Sequence, residues 1–144
     1  MRDAMALLPL ASLALQTLGG CAAEPHPEAY TSLSNDQLCA NYAYEGSLIN
    51  TSDYRGKFES RELRVFARAE IEKRNLVPEA DWTAIDDGMV VSNMPKCSVL
   101  AAWGTPAFDS ITQTLGGTSE TMGYSNGNVA ILTNGIVTTV TSRH

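Results

Sequence analysis

The sequence predicts an α+β domain, with N-terminal helices packed on a small C-terminal antiparallel β-meander. Three observations predict it. Apolar residues recur at helical spacing between residues 34 and 103. Beyond Pro106 the chain turns to Thr, Val, Ile and Tyr. That second part is punctuated by Gly116-Gly117, Asn126-Gly127 and Asn134-Gly135. Asn-Gly pairs supply the positive φ that tight hairpins require. Helices grouped before strands, rather than alternating with them, place the helices on one face of the sheet.

Taking the elements in order, residues 1–20 read as a signal peptide. Arg2 precedes an apolar run over 4–18. That run is shorter than the roughly 20 residues a membrane-spanning helix needs, and it suits the hydrophobic region of an export signal. It ends Leu18-Gly19-Gly20-Cys21, which resembles the bacterial lipobox, a branched apolar residue and two small ones before an obligatory cysteine. The resemblance implies that the Cys21 thiol takes a diacylglycerol, that cleavage falls before it, and that acyl chains such as palmitate hold the mature chain on a membrane. Ala22 rather than Asp follows, which in a Gram-negative host favours the outer membrane. The alternatives are a soluble secreted protein with a chance cysteine, or a short buried helix.

The stretch AAEPHPEAYTS has two prolines and no apolar periodicity, so residues 21–32 are expected to form a flexible tether, with one domain over 33–144. His26 within it reads as a solvated side chain. Ser34 and Gln37 have the spacing of a capping box, and Asp36 suits the positive first turn of a helix. Leu38 and Tyr42 share a face of that helix, Gly46 is its expected end, and a loop is expected over 47–57. Residues 58–75 lack Gly and Pro and set Leu63, Phe66, Ala67 and Ile71 at helical spacing, the most secure helix of the chain. Its charges, among them Arg61, Glu62, Arg64, Glu72 and Lys73, read as a solvated face.

Pro78 begins a short helical turn that drops Trp82 and Ile85 into the core, and Asp86-Asp87-Gly88 ends it. A last helix follows, with Ser92 or Asn93 as cap, Pro95 in the first turn, Val99, Leu100 and Trp103 as its apolar stripe, and Gly104 and Pro106 as stops. Strands are expected at 108–115, 119–124, 128–132 and 136–142.

Of the three cysteines, setting Cys21 aside leaves Cys39 and Cys97. In an exported, oxidising context an even pair predicts a disulfide, here joining the first helix to the last. The alternative is two small buried apolar side chains that never meet.

The formal net charge is -6, and removing Arg2 with Asp3 leaves it unchanged. An acidic chain lacks the basic face that nucleic acid requires, so no nucleic-acid partner is expected. No Gly-x-Ser-x-Gly stands at a strand-to-helix elbow, since its occurrence at Gly123-Tyr124-Ser125-Asn126-Gly127 falls on the expected Asn126-Gly127 hairpin, and there is no His-Glu-x-x-His and no phosphate-cradling glycine loop. The two histidines lie at opposite ends of the mature chain, so no cofactor, metal or catalytic residue is assigned. Carboxylate pairs at Glu70 with Glu72 and at Asp86 with Asp87 are candidates for acid/base hydrolysis. They read as a helix surface and an ordinary turn.

Gly88-Met89 precedes the last helix, Trp103-Gly104-Thr105-Pro106 ends it, and Met122-Gly123-Tyr124 and Gly135-Ile136-Val137 fall in the meander that follows. In these features the C-terminal half of the mature chain resembles the BamE/SmpA/OmlA-like group of small bacterial lipoproteins. The resemblance implies a periplasm-facing scaffold or accessory protein of the cell envelope without catalysis, bound to the membrane through Cys21 and to an envelope protein partner. A second class of function is an inhibitor or ligand-binding module acting on an envelope enzyme such as a wall hydrolase. A third is a wall hydrolase itself.

Overall fold

In a computed structural model, residues 28–51 and 54–143 are described. Ser34 and Gln37 form the reciprocal cap their spacing predicts. The Gln37 amide donates to Ser34 Oγ at 3.3 Å, and the Ser34 amide donates to Gln37 Oε1 at 3.1 Å. They start helix α2 (Asn35–Thr51), which runs through Gly46, and α3 (Tyr54–Lys73) follows. Most of the loop expected over 47–57 is therefore helix, and Gly46 is not a terminator. A Cβ at Gly46 would stand 3.3 Å from the Arg64 guanidinium. The glycine gives Arg64 of α3 room to lie against α2, and packing between two long helices outweighs the cost of about 1 kcal/mol that a glycine imposes on a helix interior.

The expected tether is corrected at its C-terminal end. Residues 21–27 lie outside the described residues, but α1 (Glu28–Thr31) is a helical turn with Tyr30 buried in the core. Arg74 holds it there. Its Nη1 donates to the Leu33 carbonyl at 2.8 Å and to Asn35 Oδ1 at 3.1 Å, and its Nη2 donates to the carbonyls of Tyr30 at 3.2 Å and Thr31 at 3.0 Å. One guanidinium thus satisfies carbonyls that the end of a helix leaves unpaired.

A 3-10 turn (Glu79–Asp81) leads into α4 (Trp82–Asp86), with Trp82 and Ile85 buried as expected. Helix α5 spans Lys96–Trp103 and is capped by extended Pro95, not by Ser92 or Asn93. Asn93 adopts a positive φ of 73° because the segment before α5 has another task. The Asn93 amide donates to the Val137 carbonyl, Val137 donates to Met94, and Lys96 donates to Gly135, each at 2.9 Å.

The strands β1 (Phe108–Thr114), β2 (Gly117–Gly123), β3 (Val129–Thr133) and β4 (Ile136–Thr141) form one antiparallel sheet in sequential order. Their alternation follows the pleat. Met122, Ala130, Leu132 and Val137 turn inward and join Leu38, Cys39, Val99 and Leu100 in the core. The sheet's two edges differ. Residues 93–96 cover part of β4, including a bridge between Pro95 and Ile136, whereas among the described residues β1 pairs only with β2 and is exposed along all seven residues.

Candidate functional site

Cys39 in α2 and Cys97 in α5 lie with Cα atoms 5.4 Å apart and their sulfurs at bonding distance, as their pairing predicts. Closing a 58-residue separation by a disulfide contributes about 4 kcal/mol in the chain-entropy model. Cys21 and the residues before it, Leu18, Gly19 and Gly20, lie outside the described residues, as do His26 and His144.

Beside this cross-link a groove of about 320 Å³ opens between α2, α5 and the inner side of β1, lined by Asp36, Ala40, Leu100, Pro106, Asp109 and Met122 among others. Lys96 reaches into it from the first turn of α5. Its ammonium sits 2.6 Å from Glu120, 2.9 Å from Asp36 and 3.9 Å from Asp109, so one cation joins α2, α5, β1 and β2. Burial alone lowers the Lys96 ammonium, but hydrogen bonds to Glu120 and Asp36 outweigh it and hold the group above the usual lysine value. Burial pushes the Glu120 carboxyl up, and Asp109 adds to that against the opposing Lys96. The four side chains carry an excess of negative charge at the groove's rim. Ile111, opposite Glu120 in register, remains exposed beside it.

Sequence reasoning missed this cluster. The signal for it was a charge out of place: Glu120 shares strand parity with the core residue Met122, and Lys96 stands in the first turn of a helix, where the dipole disfavours a cation.

A second cluster lies on the opposite side of α2. Asp86 accepts a hydrogen bond from Tyr42 Oη at 2.5 Å and from Arg64 Nη2 at 3.0 Å, with Arg68 Nη1 at 3.5 Å. Arg64 stacks 4.3 Å over the Tyr42 ring and Arg68 4.2 Å over Trp82, and the two rings meet edge to face at 5.3 Å. Burial, and then the hydrogen bond to Asp86, push the Tyr42 phenol up to about 12. Arg64, expected on a solvated face, is held against an aromatic ring instead, as is Arg68.

The candidate carboxylate pairs are drawn apart. Asp86 belongs to Tyr42, Arg64 and Arg68, while Asp87 is exposed. Glu70 bonds Arg74 at 2.8 Å and Lys73 at 3.2 Å, and Glu72 bonds Arg68 at 2.8 Å. The hydrogen bonds from Arg74 and Lys73 hold Glu70 below the usual carboxylate range, the wrong direction for a general acid. Among the described residues no group of three His, Cys, Asp or Glu side chains is placed to hold a metal ion, and no helix is long and apolar enough to cross a membrane.

Comparisons with family models, with curated proteins and with solved structures find no significant match to this chain.

Proposed function

We propose that this chain is a lipid-anchored protein of the bacterial cell envelope, of the BamE/SmpA/OmlA-like kind, that faces the periplasm from the outer membrane and binds a partner protein as a scaffold or accessory module. The single observation that supports a docking role is the asymmetry of the sheet. One edge is covered in part by residues 93–96, and the other, β1, offers a row of backbone donors and acceptors beside the groove that no strand among the described residues pairs. Extended segments add to such edges by main-chain hydrogen bonds, with adjacent pockets reading their side chains. Asp36 and Asp109 at the rim favour a partner segment carrying a basic residue.

The test places a photo-crosslinking residue at Ile111, beside the groove, or at Thr139, on β4, in the full chain in its own membrane. The reading expects one discrete envelope protein crosslinked from position 111 and not from 139; equal capture from both, or none, removes it. For the anchor, labelled palmitate should enter the wild-type protein and be lost in Cys21→Ser. Incorporation that survives this substitution removes lipidation at Cys21.

The inhibitor reading draws on one feature, the β1–β2 hairpin tip where Leu115 is fully exposed. Inhibition of a wall hydrolase by wild type but not by Leu115→Asp would favour it over the edge-docking reading.

A further inference from the structure

We propose that the depression between α2 and α3, over the Tyr42 ring, is a binding site for a phosphate group, either free or carried on a lipid headgroup. It has a volume of about 520 Å³ and is lined by Tyr42, Arg61, Arg64, Arg68 and Asp86 together with Ile49 and Val65. Arg61, Arg64 and Arg68 follow one another at i, i+3 and i+7, so they share one face of α3. Three guanidinium groups at one depression stand out in a chain of net charge -6.

The positive charge is only partly balanced. Asp86 lies in the depression, and Glu72 engages Arg68 through Nε. Arg61 has no ion-pair partner among the described residues, and Arg64 Nε is buried without a hydrogen-bond partner among them. With Asp86 and Glu72 both counted, the three arginines retain an excess of one positive charge.

The geometry favours an oxyanion. A guanidinium stacked on a ring keeps its N–H donors in its own plane, at the edges, free to meet a ligand. Stacking on Tyr42 and Trp82 fixes two of the three forks before any ligand arrives, so little side-chain freedom remains to be lost on binding. Asp86 shows that the Arg64 and Arg68 forks accept an oxyanion between them. Arg61, exposed at the rim, supplies the outer donors. Arginine in this planar, multidentate arrangement matches a tetrahedral phosphate better than a lone ammonium does.

The experiment titrates the full-length protein with inorganic phosphate and follows the arginine Nε–H resonances by NMR, with sodium chloride at matched ionic strength as the control. The expected result is a saturable shift of the Arg64 and Arg68 resonances that chloride does not reproduce, weakened at least roughly tenfold in Arg61→Ala and only partly restored in Arg61→Lys. Arg61 is exposed, so its replacement leaves the fold intact for the comparison. A parallel arm measures binding to phosphatidylcholine vesicles with and without phosphatidic acid. Dependence on phosphatidic acid that Arg61→Ala abolishes assigns the phosphate to a lipid headgroup, and a saturable response to inorganic phosphate without that dependence assigns it to a free phosphate. A non-saturating response together with no phosphatidic acid dependence, a response equal to that of chloride, or one undiminished in Arg61→Ala overturns the proposal.

Discussion

The two polar clusters flanking α2 are near inversions of each other. Around Asp86 one carboxylate joins two arginines of α3, Arg64 and Arg68, half open to solvent and backed by aromatic rings. Around Lys96 one ammonium serves three carboxylates, deeper and against aliphatic walls, with the Glu120 side chain 8% exposed. The difference teaches where charge stabilises this fold and where it remains available. The Lys96 cluster ties four elements together, and each of its ions depends on the others. The Asp86 cluster holds Arg64 and Arg68 by stacking, and with Asp86 and Glu72 as counter-ions its three arginines keep donors to spare.

The cross-link lies between the two, since Cys39 is one turn from both Asp36 and Tyr42 on α2, and Cys97 directly follows Lys96. Replacing both cysteines by alanine should therefore have the largest effect, a loss of about 4 kcal/mol read by urea unfolding. Hydrogen exchange should show the opening concentrated in α5 and β2 rather than in α3. Uniform opening would mean that the two clusters are not separable.

Lys96→Met should follow, with a loss of about 2 to 3 kcal/mol. This is less than a fully buried pair would lose, because the Lys96 side chain keeps 24% of its exposure. The double variant Lys96→Met with Glu120→Leu should recover most of it, since the cost comes from a buried carboxylate left without its cation. A double variant no more stable than the single one would show that the ion pair itself, and not the orphaned charge, is what stabilises.

At the Asp86 cluster, Tyr42→Phe removes one hydrogen bond while keeping the ring beneath Arg64, and a loss of about 1 kcal/mol is expected. The phenol also predicts an alkaline signature. Its value is raised in the folded protein to about 12, so its contribution is fully present below the ordinary tyrosine range and lost as pH rises through about 12. Burial also raises Tyr124 and Tyr30, so phenolate absorbance should show several late-titrating tyrosines, of which Tyr42→Phe removes one. Lys96, also raised, gives the other cluster a limb of the same sign above the ordinary lysine value, and Lys96→Met should flatten it. Arg61→Ala should have the smallest effect on stability, within about 0.5 kcal/mol, while changing phosphate binding most.

What the sequence made legible was local. The Ser34–Gln37 cap, the Asn126-Gly127 and Asn134-Gly135 turns and the inward burial of Trp82 and Ile85 each depend on residues a few positions apart, and the Cys39–Cys97 pair was expected from the even count left once Cys21 is set aside. What it hid depended on partners far along the chain. Gly46 resembles a helix end until Arg64 is found against it, and no residue near Arg74 in the chain announces its contacts with residues 30–35. The Lys96 cluster gathers residues 36, 96, 109 and 120, a set that no periodicity announces.

The bare edge of β1 has a further consequence for the protein when nothing is bound to it. Strands left open at the margin of a sheet pair readily with copies of themselves, and proteins guard them with lysine, proline, a bulge or a charge turned toward the sheet's inner side. β1 has no lysine, proline or bulge, and its only charge is Asp109, which turns toward the groove. That one carboxylate is the guard this edge carries, so Asp109→Val should increase self-association through β1 as the concentration rises, read by sedimentation velocity against the wild type.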